Sequence, residues 1–169
     1  MPRLLLLLFF AVALPASAQP AAKISLYIGP VPNPNGVVTP VSRDFAASYT
    51  DLQKAHKDGG VPALELVDDP ARADAILSVT YRGDVDNGST VSAGVPISMG
   101  ATMGSSQHVT PTLRGRLTLG ATGEGADFSG VTPGTDDRPR WSTQAKRIYQ
   151  QAAAWLTANQ DRLIRLRRP

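Results

Sequence analysis

Residues 112–121, TLRGRLTLGA, alternate without a break. Leu113, Leu117 and Leu119 fall on one side of an extended chain, and Thr112, Arg114, Arg116 and Thr118 on the other. That pattern suits a strand with one covered face and one wet face, so it commits the chain to a sheet that another layer must cover. TGEG at 122–125 then turns into ADFSGV at 126–131, and residues 112–131 read as a hairpin.

Two segments can supply the covering layer. Ser42 is placed to cap a helix, Asp44 complements its first-turn dipole, and Phe45, Tyr49, Leu52 and Ala55 follow at helical spacing. Lys54 and Lys57 suit its far end, and Gly59–Gly60 stops it. A longer helix begins near Trp141 with Ser142 as its cap. It carries Ala145, Ile148, Ala152, Trp155, Leu156, Asn159 and Leu163 on one stripe, and runs to about Leu166.

KISLYIG (23–29) and VPALELV (61–67) read as strands on either side of the first helix, which makes them parallel neighbours. The loop between the first strand and that helix holds four prolines. In DDPARAD (68–74), Asp69 can cap a single helical turn and Pro70 fits its first position. AILSVTYRG (75–83) is the next strand, with Leu77, Val79 and Tyr81 toward the core, and DVDNGST (84–90) reads as a turn. The Gly- and Ser-rich stretch 91–110 has no firm period. The fold class expected is α/β (α+β): a two-layer sandwich in which a mixed sheet of about five strands carries two amphipathic helices on one face.

The chain opens MPRLLLLLFFAVALPASAQP. Arg3, the apolar run Leu4–Leu14, Pro15 and the small residues Ala16 and Ala18 form the pattern of a secretory signal cut after Ala18. The run is shorter than the roughly 20 residues that span a membrane, and no cysteine follows it to take a lipid. The domain reading is therefore a signal at 1–18 and one α/β domain at 19–169, with a loop or irregular strand at 88–111. A periplasmic or secreted location follows, with no transmembrane segment in the mature chain.

Composition narrows the chemistry. There is no cysteine, which excludes disulfides, thiol catalysis and Cys-ligated metal, and two histidines (His56, His108) are a poor basis for a structural zinc site. His56 falls on the polar side of its helix, where exposure is expected. The formal net charge of +3 is modest, but from Arg138 onward eight basic residues face one acid, Asp161. Arg162, Arg165, Arg167 and Arg168 form the basic end, and Leu163, Ile164 and Leu166 lie among them. An envelope protein or an anionic envelope surface is the partner this suggests. No aromatic platform accompanies the charge, so nucleic acid is not implied.

Five aspartates, Asp68, Asp69, Asp74, Asp84 and Asp86, flank the strand at 75–83. DVDNG resembles a calcium loop but puts Gly88 at the fifth position and Val95 at the twelfth, where carboxylates or equivalents are needed. Turn chemistry accounts for most of the cluster, leaving Asp74 without a role. Ser105 and Ser106 beside His108 do not make a triad, since triads assemble in space. There is no G-x-S-x-G elbow or phosphate-binding loop, and no cofactor is expected. The enzymatic alternative is a small periplasmic hydrolase or metal-dependent enzyme, and it requires Asp74, Asp84 and His108 to meet in one pocket.

VPALELVDDPARADAILSVTYRGDV, above all Leu64 to Asp84, resembles a stretch of bacterial envelope proteins. These are the small α/β domain in the N-terminal part of the Tol-Pal translocation protein and curli-secretion-type lipoproteins. The resemblance implies a non-catalytic envelope domain that binds other proteins, and it transfers no site residue. The expected function is an exported, non-catalytic binding or assembly module.

Overall fold

In the computed structural model, residues 22–89, 107–131 and 141–167 are described, with backbone alone at 86–89 and 107–109. The apolar alternation of residues 24–28 becomes β1 (Ile24–Ile28), with Ile24, Leu26 and Ile28 buried. The helix α1 (Arg43–Asp58) follows, and the Ser42 hydroxyl accepts the Phe45 N–H at 3.4 Å, as its spacing requires. Next come β2 (Leu64–Leu66), a 3-10 turn at Pro70–Arg72, and β3 (Ala75–Ser89). The chain ends with β4 (Gln107–Leu119), β5 (Gly125–Ser129), α2 (Trp141–Ala158) and α3 (Gln160–Leu166).

The sheet order is β2-β1-β3-β4-β5. β1 is parallel to β2 and to β3, while β3–β4 and β4–β5 are antiparallel. This is the expected mixed five-stranded α/β sandwich. One core lies between the sheet and the helices. Leu26, Leu77, Leu113, Leu117 and Leu119 supply the sheet side, while Leu52, Ile148 and Leu156 supply the helix side. Each such side chain contributes about 1.5–3 kcal/mol by leaving water. α2 lies close on β4, and Gly115 permits it: a Cβ there would stand 2.9 Å from Ile148 Cγ2 and 3.3 Å from the Ser78 carbonyl oxygen.

Four local expectations are corrected. The final helix is two helices, because the Asn159 side chain donates to the Trp155 carbonyl oxygen at 2.8 Å and its backbone leaves helical geometry (φ −107°, ψ 11°). Ser142 is not the cap, since Trp141 before it is already helical. Residues 84–89 extend β3 and do not turn, because Asp84 pairs with Pro111 and Asp86 with Val109. The turn-forming Asn87–Gly88 pair enters the ladder as a register irregularity between Asp86 and Ser89.

The fourth concerns Tyr81. A register shift between Val79 and Tyr81 inserts one residue, which sends Tyr81 to the face away from the helices and brings Arg82 to the helix face. Arg82 there donates to the Asp44 carbonyl oxygen and, at 3.0 Å, to the Ser48 hydroxyl, with its guanidinium 4.7 Å from the Trp141 ring centre. Of the stretch expected as a loop or irregular strand at 88–111, residues 88–89 and 107–111 belong to strands, and 90–106 lie outside the described residues, as does the leader at 1–18. Among the described residues no helix is long and apolar enough to cross a membrane.

Candidate functional site

The aspartates divide by what the backbone beside them lacks. Asp69 accepts the Ala71 N–H at 2.9 Å and caps the 3-10 turn, with Pro70 at its start. Asp74 sits just ahead of β3, whose ladder with β1 begins at the Leu26–Ala75 pair. The Ser25 N–H therefore falls just outside that ladder, and the Asp74 carboxylate accepts it at 2.5 Å. The Asp74 N–H donates to the Ser25 carbonyl at 2.9 Å, and the Asp74 carbonyl accepts from Gly120 N–H at 2.9 Å. Arg167 completes the junction: its Nε donates to Asp74 Oδ1 at 2.5 Å and its Nη2 donates to Asp74 Oδ2 and, at 2.7 Å, to the Lys23 carbonyl. The bond to Asp74 holds the Arg167 guanidinium above its ordinary pKa, against the opposing effect of desolvation.

Asp84 has a different position. Its side chain is exposed, and its carbonyl accepts the Tyr81 hydroxyl at 2.8 Å. Ten residues of extended strand separate it from Asp74, roughly 30 Å. Asp84 pairs with Pro111, three residues from His108, so the backbone of His108 also lies at the far end from Asp74. The structure does not bring Asp74, Asp84 and His108 into one pocket. The side chains of Asp86 and His108 lie outside the described residues. Among the described residues no three of His, Cys, Asp and Glu form a group able to hold a metal ion.

The basic end is partly neutralised from within. Arg162 pairs with Glu124 of the β4–β5 turn, and Arg167 with Asp74. Gln160 Nε2 donates to the Ala22 carbonyl at 3.0 Å. Arg165 is exposed and Arg168 lies outside the described residues. Leu163 is buried, and a cavity of about 140 Å³ remains between α3 and the strand ends, lined in part by Ala73, Leu119, Ala121, Leu163 and Leu166. Buried Leu163, two ion pairs and hydrogen bonds to the strand ends together hold α3.

Two features escaped the sequence reading. The first is how the sheet face opposite the helices is built: Arg114 and Arg116 lie on it as their alternation requires, with Tyr27, but Tyr81 joins them there through the register shift. Arg114 lies 5.6 Å from the Tyr81 ring centre, and Arg116 Nη1 donates to both carboxylate oxygens of Asp127 at 3.1 and 3.3 Å. The signal for it was a repeated Tyr-x-Gly, YIG at 27–29 and YRG at 81–83. In each, the tyrosine lies down over the glycine two residues on: a Cβ would meet the phenol oxygen at 2.5 Å on Gly29 and 3.0 Å on Gly83.

The second is a crevice of about 350 Å³ beyond the end of β1, walled by Tyr27, Val41, Tyr49, Gln53, Val67 and Asp68 among others. β1 makes its last bond to β3 from Gly29 N–H to the Leu77 carbonyl at 3.2 Å. Past that point the Val79 N–H donates to the Tyr49 hydroxyl at 3.3 Å. Burial raises the pKa of both Tyr27 and Tyr49. His56 is half-buried, not fully exposed. Its Nδ1 is 2.9 Å from the Tyr149 hydroxyl, and desolvation lowers its pKa, so at neutral pH it is uncharged.

No known protein family matches the chain. No curated protein matches it. Among solved structures it is similar to a PelC dodecamer from Paraburkholderia phytofirmans, at 13% identity and a TM-score of 0.37, over 80% of this chain and 88% of that one. A likeness of that degree assigns the chain neither a role nor a partner.

Proposed function

We propose that the chain is an exported, non-catalytic binding or assembly module of the cell envelope, contacting its partner through the basic C-terminal segment. The observation that carries this reading is the use made of Asp74, the one carboxylate that turn chemistry left over. It is spent on the Ser25 N–H and the Arg167 guanidinium and so serves the fold. The apolar leader with its Ala16-Ser17-Ala18 site supports export. Support for an envelope role also comes from the likeness of Leu64–Asp84 to envelope domains. On this reading the contact residues are Arg162, Arg165, Arg167 and Arg168, with Arg165 the cleanest to test, because Arg162 and Arg167 also make internal ion pairs.

Expression in a Gram-negative host followed by osmotic shock tests the export. The expected product is a periplasmic chain beginning at Gln19, and an uncut cytosolic chain overturns the reading. Capture of envelope components on the purified product then tests the contact. Arg165→Gln should weaken capture without shifting the urea midpoint, and unchanged capture would remove the basic segment from the reading.

A further inference from the structure

We infer that the C-terminal segment binds anionic lipid headgroups and that Glu124 is a built-in competitor for it. This rests on the contact surface proposed above and adds its partner and its control. In place on the sheet, residues 160–167 show Arg162, Arg165 and Leu166 to solvent with Ile164 half-buried among them, a cationic and apolar mix suited to a headgroup layer. Leu163 is buried, and Arg162 and Arg167 face carboxylates of the same chain.

The two internal pairs differ in strength. Asp74 is 16% exposed and Arg167 36%, and the pair shares its carboxylate with the Ser25 N–H. Removing Arg167 leaves the shielded Asp74 carboxylate without its cation, and removing Asp74 leaves the Ser25 N–H without its acceptor, so this pair stays closed and acts as the anchor. Arg162 and Glu124 are 48% and 54% exposed, and an exposed pair of this kind is worth little. A cation near an anionic membrane gains about fivefold in affinity, comparable to the most such a pair supplies. A headgroup therefore takes Arg162 from Glu124 readily, while Arg167 keeps the end of α3 in place. Glu124 carries no other side-chain bond among the described residues, and its fold role is the backbone carbonyl that accepts the Leu119 N–H at 2.8 Å. Its side chain can thus change without loss of the hairpin.

The test measures sedimentation of the protein, purified from an exporting host, with vesicles of phosphatidylglycerol in phosphatidylcholine and with phosphatidylcholine alone. The expected result is salt-sensitive binding to the anionic vesicles only. Glu124→Gln should tighten it by up to about fivefold, and adding Arg162→Gln to that variant should cancel the gain. If Arg165→Gln weakens binding while Glu124→Gln leaves it unchanged, the competitor is disproved and the contact surface survives. If neither the parent chain nor Glu124→Gln binds anionic vesicles, the lipid partner is disproved. Capture of envelope protein by the same samples, weakened or unchanged by Arg165→Gln, then decides whether the contact surface stands.

Discussion

Asp74 and Asp84 bracket the same strand, and their surroundings could hardly differ more. At the Asp74 end five segments converge: β1, β3, the β4–β5 turn, α3 and the residues before β1. At the Asp84 end, among the described residues, β3 has only β4 beside it in the sheet, and the Asp84 side chain is exposed. The two residues have the same side chain and opposite worth. A carboxylate becomes structural where a strand begins late and a neighbour's N–H is left over. At the Asp84 end the unpaired edge of β3 is open to water, and the exposed carboxylate has no shielded N–H to satisfy.

The sharpest way to break this comparison is to truncate both. Asp74→Ala removes the acceptor of Ser25 N–H and isolates Arg167, and should cost about 2 to 3 kcal/mol in urea unfolding. Asp84→Ala should stay within about 0.5 kcal/mol. Equal losses would mean that the convergence at Asp74 adds no stability. Midway between the two ends, Gly115→Ala should cost about 1 to 3 kcal/mol, because the new methyl group drives Ile148 off the sheet. A neutral result would show that α2 sits less tightly than its 2.9 Å approach requires.

Smaller effects sharpen the picture. Tyr49→Phe leaves the Val79 N–H without its hydroxyl acceptor just where β1 runs out, at a cost of about 1 kcal/mol. Amide exchange at Val79 should accelerate in step, and unaltered exchange would show that the bond protects nothing. His56 gives the smallest term and a sign that can be checked. Burial lowers its pKa in the folded state below the ordinary 6.5, so below that pH the unfolded chain takes up the proton first. Its contribution to stability is whole above about pH 6.5 and is lost as pH falls through the lower folded value. His56→Gln should flatten that part of the stability profile, and a profile of the same slope would assign it to other groups.

The legibility of the chain follows the same division. Leu113, Leu117 and Leu119 announced their strand, and Tyr49, Leu52 and Ala55 their helix face, because period and burial are local properties. Asp69 and Pro70 were readable as a cap for the same reason. Asp74 was not, since its partners Ser25 and Arg167 stand 49 and 93 residues away. Tyr81 was assigned to the wrong face because a one-residue bulge inverts the alternation after it. The basic end was legible as charge, but its neutralisation by Glu124, 38 residues from Arg162, was not.

The amino-acid sequence alone determined the mixed α/β class, the two apolar helix faces, the capped 3-10 turn and the cysteine-free chemistry. Each depends on spacing or residue type within a few positions. Tertiary structure alone decided which strand ends lie exposed, where the alternation inverts, and which carboxylate meets which guanidinium. Those outcomes depend on hydrogen-bonding groups that the ladders leave unpaired, and a group is left unpaired only once distant strands have chosen their registers.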